Sequence, residues 1–143
     1  MKVFRKSIYV LVIFVLFLSG CRPGKSKKLY FKSNYFVVEV VENKQQQERG
    51  LMFRRKLPSD SGMLFIFNSE LRQSFYMKNM YIPLDIIWLD KNKKTVFIKE
   101  DAQPEIRGYY EVIDSEKPAQ YVLEVNSGTV ARIGLKIGDI LEF

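Results

Sequence analysis

The chain has 143 residues, 23 basic and 16 acidic, a formal charge of +7, and 47 % hydrophobic and 14 % aromatic residues. That apolar content excludes a disordered tail and fits one folded domain of ordinary size. There is no His and only one Cys, Cys21, which excludes Ser-His-Asp and Cys-His catalysis, His-containing zinc sites and an intrachain disulfide.

The first residues read as an export signal. Lys2, Arg5 and Lys6 precede an uncharged apolar run, residues 8–18. At about 1.5 Å per residue it spans roughly 16 Å as a helix, about half of a ~30 Å hydrocarbon core. A basic start, a short apolar centre and small residues after it form the pattern of a signal peptide over residues 1–20. The boundary Leu18-Ser19-Gly20-Cys21 resembles the bacterial lipobox, which implies that Cys21 is acylated and becomes the first residue of a lipid-anchored mature protein. An uncleaved anchor starting near Phe4 is the alternative, and both place the remainder outside the cytoplasm. Arg22 follows Cys21 instead of Asp, so an outer-membrane location is allowed. Residues 21–28 read as the lipidated Cys and a basic tether, whose Arg22, Lys25, Lys27 and Lys28 suit either anionic headgroups or simple spacing.

Residues 29–143 read as a single globular domain, long enough to bury about two-thirds of its unfolded surface. Residues 35–41, YFVVEVV, are dense in β-branched and aromatic side chains and predict a strand. Asn43 with Gln46 predicts a capped helix over residues 44–52. Residues 58–62, PSDSG, predict a turn, and MLFIF, residues 63–67, a buried strand. The apolar stretch 75–90 contains Pro83 and is expected to break there. LDIIWLD, KNKK and TVFIKE predict a hairpin. A further strand is expected near residues 120–125, then a short helix capped by Ser127 and ending at Gly134, then a turn at Gly138-Asp139. Many short strands and one or two brief helices predict a mainly β fold, a β-sandwich, jelly-roll-like or barrel-like single domain.

ERGLMFRR (48–55), GMLFIF (62–67), FYMKNMYIPLDIIWLD (75–90), YVLEV (121–125), Gly128, Gly134 and Gly138-Asp139 resemble, in order, the motifs of the bacterial and archaeal family catalogued as domain of unknown function 192. The resemblance implies a compact, mostly β fold, often exported, and no particular activity. Tyr76 and Met80 stand where that family often has Trp and Thr.

Polar groups inside apolar motifs are either paired in a core or exposed in a cleft. The candidates are Arg49, Arg54, Lys78, Asn79 and Asp85, with Glu48 as a further partner. A hairpin folded at Ile82-Pro83 would let Lys78 face Asp85. The simplest reading is an ion-pair network, for example Arg49 or Arg54 with Asp85. The second is a recognition cleft in which Lys78 and an Arg bind charge, Asn79 makes hydrogen bonds, and Tyr76 or Tyr81 supplies a flat wall. No cofactor and no metal site is expected. Met52, Met63, Met77 and Met80 read as core filler, and Glu100-Asp101 as a solvated loop. The expected function is a monomeric, lipid-anchored envelope module that binds a small polar or saccharide ligand or an envelope protein. A carboxylate-based hydrolase or lyase acting on envelope glycans is the alternative. The signal peptide holds three cations and the tether four, with no acid in either, so residues 29–143 carry 16 basic and 16 acidic side chains. A neutral domain gives no electrostatic reason to expect nucleic acid as a partner.

Overall fold

The structure is a computed structural model that describes residues 25–143. The signal peptide, Cys21 and the first part of the tether lie outside the described residues. Strand β1 (Ser26–Phe31) forms an antiparallel hairpin with β2 (Asn34–Val41). Ser26, Lys27 and Lys28, assigned to the tether by composition, are therefore laddered backbone: β2 offers a strand edge, and backbone pairing does not depend on side-chain polarity. Helix α1 (Lys44–Arg49) crosses from β2 to the parallel strand β3 (Ser61–Leu71). Short β4 (Ser74–Tyr76) is followed by β5 (Leu84–Leu89) and β6 (Thr95–Ala102), which form the expected hairpin. Strands β7 (Val112–Asp114) and β8 (Ala119–Asn126) and helix α2 (Thr129–Ile133) complete the order. The mainly β class with two short helices is observed. The sheets are unequal: a six-stranded mixed sheet, β1-β2-β3-β8-β5-β6, and a two-stranded sheet, β4-β7.

Strand alternation divides the interior into two cores. On β5, Leu84, Ile86 and Trp88 enter the first core, whereas Ile87 and Leu89 enter the second. On β8, Val122 belongs to the first, and Leu123 and Val125 to the second. The first core is covered by β4, β7 and the segment after α1; Met77 and Met80 are buried in it, with Met52 packed against it, as the core-filler reading expects. The second is covered by α2 and the C-terminal segment, which supply Val130, Leu135 and Leu141. That segment pairs with β1 at Tyr30↔Glu142 and with the β5–β6 hairpin at Lys94↔Ile140, so it draws the sheet around the second core.

Local chemistry accounts for the helix ends. The Asn43 side chain accepts a hydrogen bond from the Gln46 N–H at 2.9 Å, as the cap pattern predicts. Helix α1 stops at Arg49, three residues early, because Gly50 adopts φ 46°, outside the helical region. Ser127 does not cap α2. Gly128 holds the cap position with no side-chain bond of its own, and the carboxylate of Asp85 accepts from the Val130 N–H at 2.8 Å. At Gly62 there is no room for a side chain, since a Cβ there would lie 2.6 Å from the Glu124 carbonyl oxygen on the neighbouring strand.

Candidate functional site

A cleft of about 200 Å³ opens between α1 with the residues that follow it and β4, over the first-core face of β3 and β8. No residue of α1 is buried, so apolar packing does not hold the helix. Gln47 instead donates from Nε2 to the Ile66 carbonyl on β3 at 2.8 Å. The Tyr76 hydroxyl lies 3.4 Å from the Glu48 carbonyl and links β4 to the same helix. Phe75 on β4 meets Phe65 edge to face at 4.9 Å between centroids and Trp88 at 5.6 Å, and Trp88 donates from Nε1 to the Gln73 carbonyl at 3.1 Å. These contacts fix an apolar wall of Phe65, Phe67, Phe75 and Tyr76, with Met52 and Met80 beside it and Lys44, Glu48 and Arg49 lining the polar side.

Glu124 lines the same cleft. Alternation with Val122 places it on the first-core face of β8, between Met63 on β3 and Ile86 on β5. It is only 7 % exposed, and its Oε2 has no hydrogen-bond partner among the described residues. A Cβ on Gly50 would stand 3.4 Å from Phe65 Cζ and 3.8 Å from Glu124 Oε2, so the bare backbone at the end of α1 keeps space over that oxygen. Burial pushes the Glu124 carboxyl up to about 8 from its ordinary 4.5, against the pull of the Arg54 charge. The acid is thus mostly protonated at neutral pH and presents one O–H donor and one carbonyl-type acceptor in a nonpolar setting.

The five candidates do not converge. Arg49 is exposed and lines the cleft. Arg54 is half-buried and holds Glu39 through two guanidinium nitrogens, Nη1 to Oε1 and Nη2 to Oε2, the latter at 2.7 Å. The hydrogen bond and charge of Arg54 hold the Glu39 carboxyl below its usual value despite partial burial. Lys78 is exposed, with Nζ 6.0 Å from the Tyr110 ring centroid. Asn79 takes a left-handed φ of 58° in the loop; its N–H donates to Glu105 Oε2 at 2.8 Å, and its carbonyl accepts from the Phe53 N–H at 2.9 Å.

Asp85 is fully buried, accepting from the Asp101 N–H at 3.0 Å and the Val130 N–H at 2.8 Å. The expected pairing of Asp85 with Arg49, Arg54 or Lys78 is corrected. Asp85 shares strand parity with Ile87 and Leu89 and faces the second core, whereas Arg49 and Arg54 lie with the first. An acid satisfied by two backbone donors needs no cation. Of the two aromatic walls expected, Tyr76 lines the cleft, while Tyr81 is exposed and packs with Phe53 at 6.1 Å and under Arg55 at 5.6 Å.

Glu124 is not among the five candidates expected from the sequence, all of which lie between residues 48 and 85. The available signal was its alternation: in Tyr121–Val125 it is the lone charge, spaced two from Val122 on a strand flanked by apolar residues.

The fold and the cleft define a small mixed-sheet β domain with a neutralised buried acid beneath an aromatic cleft. The chain belongs to the family DUF192, "Uncharacterized ACR", whose model matches residues 28–143. A crystal structure described as a "putative transcription regulator" from Sinorhizobium meliloti 1021 is 39 % identical, with a TM-score of 0.73 over 80 % of this chain and 89 % of that one. A crystal structure of a protein of unknown function from Novosphingobium aromaticivorans DSM 12444 is 30 % identical, with a TM-score of 0.78 over 87 % of this chain and 89 % of that one. The UPF0127 protein TK1120 of Thermococcus kodakarensis is 24 % identical over 108 residues, 74 % of this chain. The match spans 64 % of that relative's length.

Proposed function

We propose that the chain is a monomeric, lipid-anchored domain of the cell envelope that binds a small polar or saccharide ligand in the Glu124 cleft without covalent chemistry. The observation that carries the binding reading is that Oε2 of Glu124, beneath an aromatic wall, has no hydrogen-bond partner among the described residues. Buried polar atoms are nearly always satisfied, and an exception in a cleft marks a group kept for a ligand. A protonated carboxyl both donates and accepts, which suits a hydroxyl-bearing ligand. Tyr76 and Phe67 offer flat surfaces for its apolar face, and Arg49 offers a charge at the rim. The export and anchoring part rests on the basic start, the apolar run 8–18 and the sequence Leu18-Ser19-Gly20-Cys21.

The test is ligand-observed NMR of the purified chain against oligosaccharides and small polyols. Binding that weakens at least tenfold in Tyr76→Ala and Arg49→Ala but is retained in Lys78→Ala supports the site; a bound ligand insensitive to both cleft variants refutes it. One observation favours a catalytic alternative: an acid held near pH 8 is poised as a general acid, and Glu48 at the same cleft is a second carboxylate. Cleavage of envelope glycans by the wild type, lost in Glu124→Gln, would establish a hydrolase or lyase instead.

A further inference from the structure

Among the described residues, no layer covers the outer face of the β1–β2 hairpin. The first core contains Val41 from β2 but no residue of β1, so the side chains that alternate outward from Leu29, Phe31, Phe36 and Val38 meet solvent. Register pairs them across the hairpin as Lys28↔Val37 and Tyr30↔Tyr35. The C-terminal segment extends the face through Tyr30↔Glu142 and Lys94↔Ile140. Tyr30, Tyr35, Val37 and Ile140 are 45, 51, 40 and 59 % exposed. Lys28 Nζ lies 5.8 Å over the Tyr35 ring, and Lys32 stands at the hairpin tip.

We propose that this face docks on the surface of an anionic bilayer, so that the domain lies against the membrane. Two arguments select a lipid surface. The first is charge: from Arg22 to Lys32 the chain carries five cations and no acid, of which Lys28 lies on this face and Lys32 at its tip, while Lys27 alternates to the other side, over the Phe143 ring. Glu39 pairs with Arg54, and Glu42 with Lys25 at 3.6 Å, so both pairs drop out of the balance and Lys28 and Lys32 are left with Glu142 and Asp60 as the neighbouring acids. Tyrosine and branched aliphatic side chains set among lysines match a headgroup boundary, where amphipathic rings and cations both find partners. The second is reach: five residue steps separate Cys21 from Ser26, a span of at most about 18 Å. This argument rests on the acylation of Cys21 proposed above, which would hold β1 beside the headgroups.

The experiment is covalent lysine footprinting of the full chain on phosphatidylcholine vesicles with and without phosphatidylglycerol, read by mass spectrometry. Labelling of Lys28, Lys32 and Lys94 is expected to fall several-fold only where phosphatidylglycerol is present, with Lys56 and Lys117 unchanged. The double variant Lys28→Gln, Lys32→Gln should lower the docked-to-undocked ratio about 25-fold, about fivefold per charge, read as recovered labelling at Lys94. Unchanged labelling of Lys28, Lys32 and Lys94 on anionic vesicles overturns the proposal. Equal protection without phosphatidylglycerol, rising with protein concentration, also overturns it and assigns the face to a second copy of the chain. The mass of the peptide containing Cys21 reports acylation separately. If Cys21 carries no lipid, the anchor is lost, and the labelling of the same vesicle-incubated chain still decides for or against the docking face.

Discussion

Replacing Glu124 with Gln keeps the shape of the side chain and removes its titration, so the pair isolates what the buried acid does to stability. In the folded protein Glu124 holds its proton up to about pH 8, whereas an unfolded carboxyl releases it near 4.5. Between those values the folded state binds more protons than the unfolded state, so stability falls as pH rises. The contribution is fully present below pH 4.5 and exhausted above about pH 8. Each pH unit in the window costs about 1.4 kcal/mol, which gives roughly 3 kcal/mol at pH 7 and about 5 kcal/mol at pH 9. The neutral amide pays none of this. Urea unfolding of both proteins from pH 4 to pH 9 should therefore give similar stabilities at the acid end and a Gln variant more stable by a few kcal/mol at the alkaline end. Parallel profiles across the range, or a Glu124 carboxyl resonance that titrates near its ordinary value, would refute the burial argument.

Arg54→Gln removes the charge that favours ionised Glu124, so the loss that begins near pH 4.5 should continue to higher pH and grow larger; it also removes the partner of Glu39, whose stabilising contribution in the wild type is present above its ordinary 4.5 and lost on acidification. Both shifts are read from the same pH series. Asp85→Ala leaves the Asp101 and Val130 N–H groups without their acceptor and should lower stability by about 3 kcal/mol in denaturant unfolding, with no effect on a ligand in the Glu124 cleft. Gly62→Ala places a methyl against the Glu124 backbone carbonyl and should cost about 1 to 3 kcal/mol, visible as a lower Tm. Tyr81→Ala, at an exposed ring that does not line the cleft, should leave ligand affinity unchanged while Tyr76→Ala weakens it.

Local signals were legible wherever residue chemistry acts over a few positions. The Asn43 cap, the break at Pro83 and the β5–β6 hairpin around its lysine-rich loop each follow from backbone preferences and turn chemistry, and each is observed. The β1 strand was not legible because Ser26, Lys27 and Lys28 have no apolar pattern; the open edge of β2 makes them a strand. The cap of α2 was misplaced for a similar reason. Its acceptor, Asp85, lies 45 positions away in the chain, and no local rule reaches that far.

By itself the sequence determined the mainly β class, the neutral charge of residues 29–143 and the membership implied by its motifs, since these depend on composition, periodicity and short-range spacing. Which polar groups share a site was decided by the tertiary structure. Strand parity sends Asp85 to one core and Glu124 to the other, although Asp85 and Glu124 sit on adjacent strands, and the crossover through α1 brings Gly50 and Arg49 over Glu124. Burial, unlike residue identity, is a property of what packs around a side chain. It turned an ordinary glutamate of Tyr121–Val125 into the protonated floor of the cleft.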